Sequence, residues 1–346
     1  MKKSFRYSVG PWNIHTGADV FGPPVRRDMP FGEKLPLLKK LGFDALQLHD
    51  DDAVPNLNGL SAKEVTDKAK RLKAELSDAG LEAEFVAPRL WEDPLTRDGG
   101  YTANRADQRQ YALDRTKKAL EIAETLGTRN IVLWLAREGC FVPESKDAAR
   151  AVEQLVEAVD LILSQGADFR VMIEPKPNEP VDVSFVPTVG HALALGHLTQ
   201  DPARVGVLIE SAHSLLAGLD PAADMAFAIA HKKLWGVHLN DQNGMKFDQD
   251  RAFGAVNLRS AFNQVRVLLQ HGFGSKGEYV GVDVKALRTQ DDAVAHKHLS
   301  HSIAVVEWLA DKVRSVDQAY IDARREDLDY EELDRYIIQH LLGVSG

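Results

Sequence analysis

The sequence predicts a closed (β/α)8 TIM barrel, and three observations carry that expectation. Apolar, strand-like runs alternate with longer segments of helical period eight times between residues 5 and 313. No Ser/Gly-rich linker and no break in composition interrupts the alternation, which favours one closed sheet over an open one or two domains. Carboxylates and imidazoles recur at the C-terminal ends of the runs, where such barrels build their sites.

The units follow in order. "FRYSVGPW" (5–12) reads as the first strand, and "FGEKLPLLKKLG" (31–42) as a helix stopped by Gly42. "DALQLHD" (44–50) precedes an amphipathic helix at 61–80, where Ser61 and Glu64 fit a capping box. "EAEFVAP" (82–88) precedes a helix at 107–127, and "NIVLWLA" (130–136) one at 147–166. The second half repeats the rhythm: strands at 169–176, 205–213, 234–240 and 278–285 precede helices at 188–198, 220–233, 258–272 and 291–313. Residues 1–316 are thus expected to form the barrel. Residues 317–346 have helical period but no strand, and are expected to form a helical extension outside the barrel or on a neighbouring subunit.

Composition narrows the functional classes. A net charge of −9 argues against gripping a phosphate backbone, so no nucleic-acid partner is expected. With Cys140 the only cysteine, no intramolecular disulfide can form and a reducing compartment fits. The N-terminus lacks a signal-peptide core, and no apolar window approaches a membrane span. The expectation is a cytoplasmic protein with no membrane partner.

The strand ends carry the chemistry. They present Trp12, His49 with Asp50 to Asp52, Arg89, Trp134, Glu174 with Lys176, Glu210 with His213, His238, and Asp283 with Lys285. Such groups are costly near a barrel core unless paired or coordinated. Glu174, Glu210, His238 and Asp283 can converge on one cation. Asp248 and Asp250, in the loop after strand seven, can reach a second with His213, sharing Glu210 as a bridge. Oxygen and imidazole donors suit Mg²⁺, Mn²⁺ or Co²⁺. The bland account is a rim of solvated carboxylates paired to Lys176 and Lys285. His49, beside three carboxylates, can move protons near neutral pH with an adjacent acid fixing its tautomer. Trp12 and Trp134 can wall a small ligand or simply close the barrel end.

Five segments then acquire a common meaning. "HDDDAVP" (49–55), "DGGYTAN" (98–104), "IEPKPNEP" (173–180), "PTVGHALA" (187–194) and "NGMKFDQD" (243–250) resemble signature segments of the D-xylose isomerase family, in that family's order, and "HLLG" (340–343) adds to them. The resemblance implies a metal-dependent aldose–ketose isomerase using two divalent cations per subunit. By resemblance, Glu174, Glu210 and Asp283 hold one cation, with His238 at the family's fourth ligand position. Glu210, His213, Asp248 and Asp250 hold the other. It further implies that His49, oriented by Asp52, opens the sugar ring, and that Lys176 contacts the carbonyl oxygen during a hydride shift between C2 and C1. Lys285 stands behind the ligands, Trp12 and Trp134 form aromatic walls, and Phe21 reaches a neighbour's site. A homo-oligomer follows, a tetramer ahead of a dimer, with a small sugar as substrate.

The departures from that pattern are informative. His238 stands where the family presents aspartate, which should tilt metal preference from Mg²⁺ towards Mn²⁺ or Co²⁺. Residues 87–94, "APRLWEDP", replace a polar pair with Ala87 and Pro88 and add Arg89 and Trp91 near the pocket. The C-terminal segment is shorter than the family's arm. These changes bear on which sugar is used and on subunit association. A ketose 3-epimerase or another sugar-processing enzyme on the same barrel is the competing enzyme class. A metal-dependent nuclease and a non-catalytic sugar-binding protein are more distant rivals.

Overall fold

Eight parallel strands close on themselves in the computed structural model, which describes residues 3–245 and 247–344. Lys246, inside one signature segment, lies outside the described residues. The strands are β1 (Tyr7–Val9), β2 (Ala45–His49), β3 (Glu82–Ala87), β4 (Asn130–Trp134), β5 (Arg170–Glu174), β6 (Val205–Glu210), β7 (Leu234–Leu239) and β8 (Val280–Val282). Each pairs with its sequence neighbours, and β1 pairs with β8 to shut the barrel. The (β/α)8 expectation therefore holds.

The outer helices are α1 (Phe31–Leu41), α2 (Ala62–Ala79), α3 (Ala106–Leu126), α4 (Ala148–Ser164), α5 (Val189–His197), α6 (Pro221–Ala230), α7 (Leu258–Gln270) and α8 (Lys297–Ser315). In α2, Val65, Ala69, Leu72 and Leu76 are buried, the stripe that a period of 3.6 residues turns toward the sheet. Ser61 and Glu64 close its first turn as a capping box, satisfying donors the helix leaves free. Gly42 ends α1 in the left-handed conformation, which glycine adopts without a Cβ penalty. Two further helices, α9 (Gln318–Glu326) and α10 (Tyr330–Leu342), lie against this same chain. Ile321 and Ile337 join the main core, and Arg259 of α7 pairs with Asp334.

Several boundaries differ from the sequence expectation. Only Tyr7–Val9 pairs within the expected 5–12 strand, because Pro11 lacks an N–H and begins a 3-10 turn at Pro11–Asn13. Short helices at Asp50–Ala53 and Ser211–Leu216 sit directly after β2 and β6. A two-stranded ribbon, Gly139–Cys140 with Val183–Ser184, links two loops above the barrel.

The lumen is layered. Phe85, Ala87, Val132, Met172 and Leu208 form an apolar plug. Elsewhere inside, Gln47 Nε2 donates to Ser8 Oγ and Glu84 Oε2, both at 3.1 Å. Gly281 makes room for this arrangement: a Cβ there would lie 2.3 Å from Gln47 Nε2 and 3.1 Å from His238 Cδ2. No helix is long and apolar enough to cross a membrane among the described residues.

Candidate metal centre

Strand register assembles the site. Trp134 pairs with Glu174 across β4 and β5, and Glu210 pairs with His238 across β6 and β7. His238 then faces Gly281 on β8. Each of these ligand-bearing strands ends at the same mouth, so residues far apart in sequence arrive within bonding distance.

Three donor groupings result: Glu174, Glu210 and His213; Glu210, His238 and Asp283; and Glu210, Asp248 and Asp250. Within each, the ligand atoms lie within 4.8 Å of one another, and Glu210 is common to all three. His213 Nε2 stands 3.2 Å from Glu210 Oε1 and 3.0 Å from Asp248 Oδ2. His238 Nδ1 stands 3.2 Å from Glu174 Oε1 and 3.5 Å from Glu210 Oε2. The seven ligand candidates named from the sequence are thus gathered at one place.

The loop carrying Asp248 and Asp250 is fastened on both sides. Asp241 and Arg251 exchange backbone hydrogen bonds, and Asp241 Oδ2 accepts from the N–H groups of Val256 and Asn257. Gln242 Nε2 donates to the carbonyls of Met245 and Phe247, while Asp248 N donates to Glu179 Oε2. Asp250 sits at φ 44°, a left-handed conformation that costs energy outside glycine. Its carbonyl accepts from Lys285 N at 2.7 Å.

Burial and charge set the protonation of the cluster. Burial pushes the Glu210 carboxyl well above the usual range, and the charges of Asp248 and Asp250 add to the effect. Burial and the neighbouring Asp248 push Asp250 up to about 8, although Lys285 pairs with it. Burial also opposes ionisation of Asp248, but Lys176 at 2.9 Å and His213 overcome it and hold that carboxyl well below the usual range. Against the same burial, Glu174 raises His238 well above an ordinary imidazole, and Glu210 and Asp248 raise His213. Lysines and protons therefore offset much of the cluster's negative charge.

A divalent cation fits this donor set. His238 Nε2, His213 Nδ1 and Asp248 Oδ1 are buried without a hydrogen-bond partner, and such atoms are expensive unless something coordinates them. Carboxylate oxygen and imidazole nitrogen are the donors that divalent ions of the Mg²⁺ to Zn²⁺ series accept.

The other sequence candidates form an adjoining wall. The Trp12 ring lies 4.2 Å from the His49 ring, and its Nε1 donates to Asp283 Oδ1 at 3.0 Å. Trp91 meets His49 edge-on at 5.1 Å and Trp134 at 4.5 Å, while Lys176 Nζ lies 5.2 Å over the Trp134 ring. His49 Nδ1 is 2.9 Å from Asp52 Oδ2 and 2.6 Å from Arg89 Nη2. Burial would raise the Asp52 carboxyl, but its contacts with His49, whose backbone N–H donates to it at 3.1 Å, and the charge of Arg89 hold it low. Phe21 is not gathered with these residues; it lies 87 % exposed in the loop between β1 and α1.

Three contributors escaped the sequence analysis. Asn240 Nδ2 donates to Glu210 Oε1 and to the Asp283 carbonyl, both at 2.9 Å, tying two ligand-bearing strands together. Glu179 accepts from both Lys176 and Asp248 N. Arg115, on α3, pairs with Asp50 at 2.7 Å and with Asp51 at 3.0 Å, fixing the turn that presents His49. Asn240 lies two residues after His238, a spacing that places both side chains on one face of a strand; Glu179 lies inside the segment 173–180, while Arg115 carries no local signal.

Fold and site together define a TIM barrel with a buried carboxylate–imidazole centre at its C-terminal mouth. A model of the xylose isomerase-like TIM barrel family matches residues 35–269, and the chain belongs to that family. Among solved structures it is similar to Escherichia coli 3-keto-D-glucoside 4-epimerase, YcjR, in its apo form. Identity there is 16 %, the TM-score is 0.60, and the match covers 88 % of this chain and 99 % of that one. It is similar to D-psicose 3-epimerase from Clostridium cellulolyticum H10, solved with D-tagatose, at 14 % identity and TM-score 0.60, covering 89 % and 99 %. It also resembles the IolI protein with a bound zinc atom, at 15 % identity and TM-score 0.61, covering 90 % and 100 %. At these identities the likeness is one of fold.

Proposed function

We propose that this protein is a divalent-metal-dependent aldose–ketose isomerase, interconverting D-xylose and D-xylulose, or D-glucose and D-fructose, by a 1,2-hydride shift. The observation that carries the reading is the sharing of Glu210 among donor groupings that reach both His238 with Asp283 and Asp248 with Asp250. The seven donor residues divide into two sets that share Glu210, an arrangement that would suit two cations better than one. Glu174, Glu210, His238 and Asp283 would hold the first, and Glu210, His213, Asp248 and Asp250 the second. When bound, the cations supply Lewis-acid polarisation of substrate oxygens.

The chain's own residues do the rest. Lys176, buried between Asp248 and the Trp134 ring, offers an ammonium to the substrate oxygen on which charge develops. Trp12, Trp91 and Trp134 line the approach and exclude water from the reacting carbons. His49 meets the sugar's ring or anomeric oxygen. Lys285 balances Asp250. In this reading Phe21 belongs to the pocket of a second copy in a homo-oligomer.

A ketose 3-epimerase is the second reading. It is favoured by the mixed Glu210–His238–Asp283 grouping and by the epimerases among the structural neighbours. Incubation of the purified protein with D-xylose and Mn²⁺, followed by assay for D-xylulose, tests the isomerase; a parallel panel of ketoses scored for C3 inversion tests the epimerase. The isomerase reading expects ketose from an aldose. Metal-loaded protein that yields no ketose from any pentose or hexose would overturn it.

A further inference from the structure

We propose that Arg89 fixes the neutral His49 ring with its proton on Nε2, so that His49 meets substrate as a hydrogen-bond donor and Arg89 acts as its positioning residue. The contact with substrate rests on the sugar-isomerase reading; the placement of the proton does not.

Two groups compete for His49 Nδ1. Asp52 Oδ2 lies 2.9 Å away and would accept a proton from it. Arg89 Nη2 lies closer, at 2.6 Å. A guanidinium has five N–H donors and no acceptor, so at that separation Nδ1 has no room for a hydrogen of its own. It must offer its lone pair, and a neutral imidazole then carries its single proton on Nε2. Among the described residues Nε2 makes no hydrogen bond, and the ring is held between Trp12 and Trp91.

Asp52 is satisfied without that proton. Its Oδ2 accepts from the His49 backbone N–H at 3.1 Å, and its Oδ1 accepts from the same Arg89 Nη2 at 3.2 Å. Arg89 is itself anchored: its side chain is 18 % exposed, and it faces Asp51 at 3.0 Å and Glu92 at 3.3 Å, while its backbone N–H donates to Asp50. The carboxylates thus hold the arginine in place, and the arginine sets the imidazole. Removing the guanidinium leaves Asp52 as the sole partner of Nδ1 and should move the proton there, turning Nε2 into an acceptor.

The test is ¹⁵N NMR of histidine-labelled full-length protein, with the His49 signal identified by its loss in His49→Gln. The expected result is an unprotonated Nδ1 and a protonated Nε2 in the wild type, the reverse in Arg89→Met, and the wild-type pattern restored in Arg89→Lys, whose ammonium also donates. A proton on Nδ1 in the wild type overturns the proposal, and so does an unchanged pattern in Arg89→Met. Should Arg89→Met fail to fold, the wild-type and Arg89→Lys spectra decide. If the protein isomerises aldoses, Arg89→Met should lower kcat/KM about 10²-fold for ring-closed aldoses while sparing the open-chain aldose glyceraldehyde. Equal losses on both overturn the substrate-facing half alone.

Discussion

His238 Nδ1 lies 3.2 Å from Glu174 Oε1, so an imidazole on β7 is paired with a carboxylate on β5 at the centre of the proposed metal site. Replacing carboxylate by imidazole removes a negative charge and offers nitrogen, which later transition ions prefer to Mg²⁺. At matched occupancy the wild type should be more active with Mn²⁺ or Co²⁺ than with Mg²⁺, and His238→Asp should narrow that gap. Equal or better activity of the wild type with Mg²⁺ would count against His238 as a ligand.

Glu210 is the common member of every donor grouping, which makes its loss different in kind from the loss of a peripheral ligand. Metal analysis of dialysed protein should give about two equivalents for the wild type, about one for Asp250→Asn and close to none for Glu210→Gln. Two full equivalents in Glu210→Gln would remove the bridge from the proposal.

Metal binding should release protons. Glu210 and Asp250 are raised, the latter to about 8, and His213 and His238 are raised as well, so all four tend to hold protons that a cation must displace. Affinity should therefore strengthen from pH 6 to pH 8, by about tenfold per pH unit for each proton released. Calorimetry in buffers of different ionisation heat reads the proton count directly; an affinity indifferent to pH would contradict the charge balance described.

The turn bearing His49 depends on a buried pair. Arg115 and Asp50 expose 6 % and 0 % of their side chains, and removing one partner of such a pair leaves a charge without compensation. Arg115→Met should cost about 3–5 kcal/mol in urea unfolding, whereas a loss under 1 kcal/mol would show that Asp50 finds another partner.

His298, at the start of α8, links the barrel's rear helix to the loop after β1 by donating from Nε2 to the Asn13 carbonyl at 3.0 Å. Burial holds this imidazole down to about 4, from an ordinary 6.5. Below 6.5 the unfolded chain binds the proton and the folded one resists it, so stability falls as pH drops from 6.5 toward 4, by up to about 3 kcal/mol. His298→Gln, which keeps a donor, should flatten that part of the stability profile. Identical slopes for both proteins would exclude His298 as its source.

The barrel and the metal-ligand set were legible because both are periodic signals. Strand ends recur, and each strand end in the second half carries a ligand type, so Glu174, Glu210, His238 and Asp283 could be named before any contact was known. The loop pair Asp248 and Asp250 announced itself by its spacing. Arg115 was not legible: it sits mid-helix, 65 residues from Asp50, and only the packing of α3 brings the two together. For the same reason Asp50 and Asp51 stand out in sequence only as acids beside His49, since their partner is invisible locally. The contact of Arg89 with His49 also required distances, because sequence pointed to Asp52 as the imidazole's partner and only 2.6 Å against 2.9 Å sets Arg89 nearer.

The site's most permissive residue has no functional group. Gly281 has no side chain to offer a metal or a substrate, yet any larger residue there would press on Gln47, on the Val237 carbonyl and on His238 at once. Whoever redesigns this barrel for another ion inherits that vacancy as a boundary condition. Whatever is changed among the ligands, the missing methyl must stay missing.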